Sequence, residues 1–368
     1  MHLGRTTLSK FLIQQLQDIE GASDLGALLV DVAAAVKVIA AMTAKGALGG
    51  TGGEPRSGGC LGALAQRNVQ AETQKKLDVL AHETMLRGCE RGGLIAGMAS
   101  QQRDHLCAVS GDPTRGRYLL VFDPLDGAPN NDVNVSVGTI FSVLRHAQSE
   151  APAVADFLQP GRAQVAAGYA IYGPATMLVL SVGKGTHGFT LDRAIGNFIL
   201  THPNLAIAEE TSEVAIDSSN ARSCEAPVHR YVTECQAGRS GQRGRDFDMR
   251  SVGSTVAEVH RVLLRGGVLM VPKDTRDATR CGRLRLLFEA NPIALLVEQA
   301  GGCASTGHAR LLDVAPASLH QRVPVILGSR KEVERIERYH LEHDNGTDRP
   351  YVSPLFNERS LYRAEVRV

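Results

Sequence analysis

The chain has 368 residues, 43% of them hydrophobic, which is enough to bury a large core and is long enough for two packed domains. Its 40 Lys and Arg nearly balance 39 Asp and Glu, so the net charge gives no argument for a polyanion partner such as nucleic acid and points to small substrates or protein surfaces. Seven cysteines (Cys60, Cys89, Cys107, Cys224, Cys235, Cys281, Cys303) show no paired metal spacing and read as reduced thiols of a cytosolic protein.

At the start, "TTLSKFLIQQLQ" has helical spacing after Thr6 and Thr7, which can cap it, and no cleavage-site pattern follows. The run "GALLVDVAAAVKVIAAM" is interrupted by Asp31 and Lys37 and falls short of about 20 clean apolar residues. It reads as a buried amphipathic helix, not a membrane span. "KGALGGTGGEPRSGG" carries too many glycines for regular structure and reads as a surface loop. "QKKLDVLAHETMLRGCE" then sets Leu77, Leu80, Met85 and Cys89 at helical intervals, "GGLIAGMAS" reads as a short buried strand or turn, and "RYLLVF" as a strand.

From Asn131 to about His202, apolar segments alternate with glycine turns ("DVNVSVGTIFSVLR", "QVAAGYAIYG", "TMLVLSVG", "GTHGFTL"), the pattern of meandering antiparallel strands. Beyond it, "PVHRYVTECQAG", "VGSTVAEVHRVLLRG" and "NPIALLVEQAGG" predict helices, and "VLMVP" and "VPVILG" predict strands. These readings divide the chain into an N-terminal domain over 1–200, a C-terminal α/β domain over 201–342 and a polar extension over 343–368.

The hydrophobic run "RYLLVF" stops at Asp123, Pro124, Leu125 and Asp126. Two carboxylates in a stiff turn at a strand end offer hard oxygen ligands to a magnesium ion, although Asp-Pro and Asp-Gly are also ordinary turn formers. Glu289 closes another apolar run just before Pro292 begins a helix, and Asp78 lies on a helix whose other face is apolar. Singly, such acids are usually caps or solvated charges.

Together, "FDPLDG", "NNDVNVSVGTIFSVLR", "QKKLDVLAHE", "FDMRSVGSTVAEVHRVLLRGG" and "GRLRLLFEANPIALLVEQAGG" resemble class I fructose-1,6-bisphosphatase in a proteobacterial form, in order from about Thr6 to His340. The resemblance implies a layered αβαβα fold, a homotetramer, and magnesium-dependent hydrolysis of the 1-phosphate of fructose 1,6-bisphosphate, with manganese able to substitute. It implies metal ligands at Asp123, Asp126, Glu289, Glu72 and the carbonyl of Leu125, and a water-activating acid at Asp78. Asn220, Arg250 and Arg283 fall where the family binds phosphate and sugar, Arg250 reaching into a neighbouring subunit; the two arginines can also be read as surface charges.

Four short departures bear on activity. The family has Ser-Glu-Glu where this chain has Ser100, Gln101 and Gln102, so the positions of a bridging ligand and of the acid that polarises water carry neutral amides. The phosphate cradle that follows Asp126 reads Gly127, Ala128, Pro129 and Asn130, losing two hydroxyls and one backbone N–H, although Pro129 can start a helix. Arg283 replaces a lysine, exchanging a compact ammonium for a planar fork. Ser251, Thr255 and Val271 replace larger or hydroxylated residues around the sugar. The sequence therefore leaves three readings open: a weakened bisphosphatase, a non-catalytic sugar-phosphate-binding paralogue or regulatory subunit, and a related phosphatase acting on sedoheptulose bisphosphate, with inositol phosphates disfavoured by "GRLRLLFEANP". The segment "DIEGASDLGALLV" leaves AMP regulation undecided.

Overall fold

A computed structural model describes residues 5–17, 21–46, 76–90, 93–109, 116–131, 133–147, 150–217, 223–276 and 281–348. The glycine-rich loop read at 45–59, apart from its first two residues, lies outside these, as do Glu72, Asn220 and most of the C-terminal extension.

The first sheet has seven strands in chain order: β1 (Ile95–Ser100), β2 (Tyr118–Asp126), β3 (Val137–Arg145), β4 (Ala166–Tyr172), β5 (Thr176–Ser181), β6 (His187–Asp192) and β7 (Asn197–His202). From β2 to β7 every pairing is antiparallel, as the glycine-punctuated middle predicts; β1 instead joins β2 in parallel, and β7 extends the meander one strand beyond the expected set. A second sheet runs β12 (Cys303–Ser305), β14 (Val325–Gly328), β10 (Val268–Val271), β8 (Glu213–Ile216), β9 (Asp248–Met249). Two residues of β11 (Leu284–Arg285) pair with β13 (Arg322–Val323).

Helices separate and cover the sheets. On one face of the large sheet lie α1 (Leu8–Gln15), α2 (Ala22–Thr43) and α3 (residues 76–89), whose apolar sides share a core with Tyr118, Leu120 and Phe122. Thr7 caps α1, its hydroxyl accepting from the Lys10 N–H. By length and composition α2 is apolar enough to cross a membrane, yet Leu25, Leu28, Val32, Val36 and Ile39 are buried within the protein. On α3 the buried stripe is Leu77, Ala81, Met85 and Cys89. Leu80, expected inside, is exposed, because a true i, i+4 stripe from Leu77 passes through Ala81.

The short α4 (Val154–Phe157) buries Phe157 beside β1 and β2. Between the sheets lie α6 (Thr255–Arg265) and α7 (Asn291–Gln299), packed against β3 and β4 on one side and the second sheet on the other. The outer layer is α5 (Ala226–Ala237) and α8 (Arg330–Asp344), over Val214, Val268 and Ile326. The order helix, sheet, helix, sheet, helix is the expected αβαβα layering. The extension expected from 343 begins later, since α8 runs through Asp344 and Asp348 still pairs with Arg230.

The outer layer is tied by buried charge. Glu332 accepts from both Arg243 and Arg245 at 2.6 Å and from the Tyr231 hydroxyl at 2.8 Å, and only 2% of its side chain is exposed. Arg243 is nearly as buried and lies against the rings of Phe247 and Tyr231. Truncating one partner of such a pair strands the other, a loss of about 3–5 kcal/mol. Glu332→Ala should therefore lower stability by that order in urea unfolding, while Lys331→Ala, which removes an exposed pair with Glu210, should leave the unfolding midpoint nearly unchanged.

Candidate active site

Side chains on a strand alternate, so Leu119 and Val121 face away from the N-terminal helices and pack with Leu287 and Phe288. Asp123 continues that alternation toward the same segment. Three residues on, Asp126 in a regular strand would face the opposite side. The register of β2 against β3 slips between Asp123 and Asp126, and this irregularity, at Pro124, brings the second carboxylate round to the first. The slip is held from outside: the Thr139 hydroxyl donates to the Pro124 carbonyl at 2.8 Å, and the Tyr172 hydroxyl lies 2.7 Å from the same Thr139 oxygen.

The third carboxylate arrives from a π-helical turn, Leu286–Ala290, that precedes α7. Glu289 accepts the backbone N–H of Arg285 at 2.7 Å, which folds its side chain back over the turn. Asp123, Asp126 and Glu289 each present an oxygen within 4.8 Å of the others, and all three are buried. Burial raises all three carboxyl pKa values above the ordinary range; for Asp123 the charges of Glu289 and Asp126 add to it, and for Glu289 that of Asp126. Backbone N–H groups partly relieve this: besides Arg285 at Glu289, Leu125 donates to Asp123 Oδ1 at 3.3 Å and Val256, in the first turn of α6, donates to Asp126 at 3.0 Å. A trio of buried, mutually repelling hard oxygens fits a divalent cation.

Gln101 and Gln102 follow β1 directly. The Gln101 side-chain amide lies between Asp123 Oδ2 (2.9 Å) and Arg285 Nη1 (3.0 Å), and its orientation, N–H toward the carboxylate and oxygen toward the guanidinium, is assigned from those two partners. Gln102 is exposed, and its backbone N–H donates to the Ser100 hydroxyl. Ser100 in turn lies 2.8 Å from Nδ1 of His82, one α3 turn beyond Asp78. Sequence reasoning passed over both Arg285 and His82, since an arginine in a strand and a histidine in a helix carry no motif of their own. Asp78 has one buried oxygen without a partner, and burial pushes its carboxyl up to about 6.

Gly127 has a φ of 73°, and a side chain there would press on Ser254 at 3.2 Å. After it, Ala128, Pro129 and Asn130 form a 3-10 turn with Pro129 near its start, so the proline begins a helix as expected. The Asn130 amide donates to the Gly253 carbonyl at 3.0 Å. At the start of α6 lies a cavity of about 600 Å³ whose wall includes Ser251, Ser254, Thr255, Val271, Lys273 and Arg283. Arg283 pairs with Asp217 at 3.4 Å. Arg250 does not line this cavity; it stands exposed beside Asp248 on the edge strand β9. Glu72 and Asn220 lie outside the described residues.

A family model described as fructose-1-6-bisphosphatase, N-terminal domain, matches residues 6–203, and one described as its C-terminal domain matches residues 207–341. The chain belongs to the fructose-1,6-bisphosphatase family. It is similar to the fructose-1,6-bisphosphatase of Leishmania major in holo form, at 34% identity and a TM-score of 0.79, over 91% of this chain and 98% of that one. The apo form of the same enzyme matches at 33% identity and a TM-score of 0.78, over 91% and 99%. The family is metal-dependent in general, and the acidic trio is the group among the described residues that can hold a metal ion.

The repulsion within the trio has a measurable consequence. Glu289→Gln removes one charge while its amide can donate to the neighbouring carboxylates, so the metal-free chain should melt about 2–4 °C higher. The same variant should lose most of the upward Tm shift that added magnesium or manganese gives the unaltered chain. Thermal melts with EDTA and with each cation check both halves.

Proposed function

We propose that the protein hydrolyses fructose 1,6-bisphosphate to fructose 6-phosphate and phosphate in a magnesium-dependent reaction, at a rate well below that of an unaltered family member. The observation that carries this reading is the buried carboxylate trio together with a cavity, lined by Lys273 and Arg283, at the start of the helix whose first turn donates to Asp126. In this reading Asp123, Asp126, Glu289 and the Leu125 carbonyl hold magnesium, or manganese in its place, with Glu72 as a further ligand. The bound cation would neutralise phosphoryl oxygens, steady the departing sugar alkoxide and acidify the attacking water.

The chain's own residues supply the rest. Asp78, with a carboxyl raised to about 6, is suited to take a proton from water near neutrality. Gln102 cannot accept that proton and Gln101 cannot bridge as a carboxylate, which is the reason for the reduced rate. Arg283 and Asn220 bind phosphate and sugar, and the exposed Arg250 reaches the 6-phosphate held by a neighbouring subunit of a homotetramer. The turn Gly127, Ala128, Pro129 and Asn130 grips phosphate with one backbone donor fewer than a turn without proline. The thiols Cys89, Cys107, Cys235, Cys281 and Cys303 form no disulfide, which supports a reducing, cytoplasmic setting, and the quoted motifs support the proteobacterial class I branch.

A second reading has support of its own. Gln101, Gln102 and Pro129 together favour a sugar-phosphate-binding paralogue that does no chemistry, or a regulatory subunit of a family tetramer. The small side chains Ser251, Thr255 and Val271 in the cavity wall leave room for sedoheptulose bisphosphate.

Phosphate release from fructose 1,6-bisphosphate by the purified chain with magnesium decides between them. The expected result is slow turnover that EDTA abolishes, at least about a hundredfold below ordinary enzyme rates. Turnover at ordinary rates would overturn the weakened site, and none at all, with retained sugar-phosphate binding, would favour the paralogue. Asp78→Asn should lower kcat by a further hundredfold or so with little change in KM. The double variant Gln101→Glu, Gln102→Glu should raise activity, and an unchanged rate would show that these positions are not what limits it.

A further inference from the structure

A second cavity, of about 290 Å³, lies on the outer layer, between the first two turns of α8 and the loop after α5. Four cations line it, Arg243, Arg245, Lys331 and Arg335, against two carboxylates, Glu210 and Glu332. It shares no residue with the carboxylate trio or with the larger cavity at the start of α6.

Both carboxylates are already engaged. A carboxylate has room for about four donors, and Glu332 meets that many: Arg243 on both oxygens, Arg245 on Oε1 and the Tyr231 hydroxyl on Oε2. One buried negative charge is thus shared between two guanidiniums. Glu210 takes the Lys331 ammonium at 2.7 Å, and Arg245 reaches it only loosely, at 3.5 Å. Arg245 is partly exposed and, with five N–H donors, has several to spare.

Arg335 adds to the imbalance. Among the described residues it pairs with no carboxylate; it bonds to the Tyr339 hydroxyl, and its Nε is buried without a partner. A charged donor shut away from water in that state calls for an acceptor. Guanidinium forks and an ammonium around a small cavity suit a tetrahedral oxyanion, which accepts from several donors at once. We propose that this cavity binds a phosphate- or sulfate-type dianion, free or as the phosphoryl end of a small molecule, through Arg245, Arg335 and Lys331. The site is separate from the phosphatase reading and stands whether or not that reading holds.

The test is equilibrium dialysis of the full chain against radiolabelled sulfate at fixed ionic strength. The expected result is saturable binding, of which one sulfate per chain is lost in Arg335→Gln and weakened about tenfold or more in Arg245→Gln. Arg283→Gln, in the larger cavity, should keep that sulfate, and Arg335→Lys, which keeps the charge, should keep part of the affinity. A crystal soaked in selenate should show the anion against Arg245 and Arg335. Inorganic phosphate and glycerol 3-phosphate should both displace the labelled sulfate, and the tighter competitor tells a free anion from a phosphoryl end. Binding that survives Arg335→Gln and Arg245→Gln together, or that Arg283→Gln removes, would overturn the proposal and place the anion in the larger cavity. No binding at millimolar sulfate would overturn it as well. If Arg335→Gln does not fold, the selenate position decides, and its absence from Arg245 would overturn the site.

Discussion

Three carboxylates that repel one another are held together out of water, and much of the central architecture works against that repulsion. Asp123 is fixed by the alternation of β2, Asp126 by the slip at Pro124, and Glu289 by the π-helical turn before α7. None of these segments can relax independently. Strand β2 is the inner neighbour of β1 and β3, its slip is pinned by Thr139, and the π turn is buried throughout. Folding energy from the apolar core is what keeps the like charges close, a common arrangement where a site is built for a ligand of opposite sign.

The layering also explains why the cavity lies where it does. The helices between the sheets begin at the site: the first turn of α6 turns its N–H groups to Asp126, and α7 starts one residue after the turn that carries Glu289. Positive helix ends and cationic side chains therefore surround a negative centre. Under the proposed function, a phosphorylated sugar would meet the basic residues directly and the acids only through a cation.

Much of this was legible in the sequence. Period-two alternation and glycine turns marked the meander, helical periodicity marked α5, α6 and α7, and for α1 the capping threonines added to it. The Asp pair announced itself as an interruption of an apolar strand, and Glu289 by its place before Pro292. What the sequence did not reveal depends on distance along the chain. The parallel pairing of β1 with β2 has no local signature, and α8 was hidden because its many charges lower its apparent apolarity while Val333, Ile336 and Tyr339 are buried. The contact of Gln101 with Arg285 joins residues far apart in sequence, and the Glu332 network joins α8 to a loop after α5. Such pairs are read only once the layers are assembled.

The π-helical turn sets a limit on how this chain can change. Such a turn holds one residue more than the α-helical path would need, and that surplus aims Glu289 back at Asp123. Loss of a single codon between Leu286 and Ala290 would convert the segment to an ordinary helix and swing the glutamate by roughly 100° about its axis. A substitution around the pocket leaves this backbone path in place, whereas a deletion among these few positions does not.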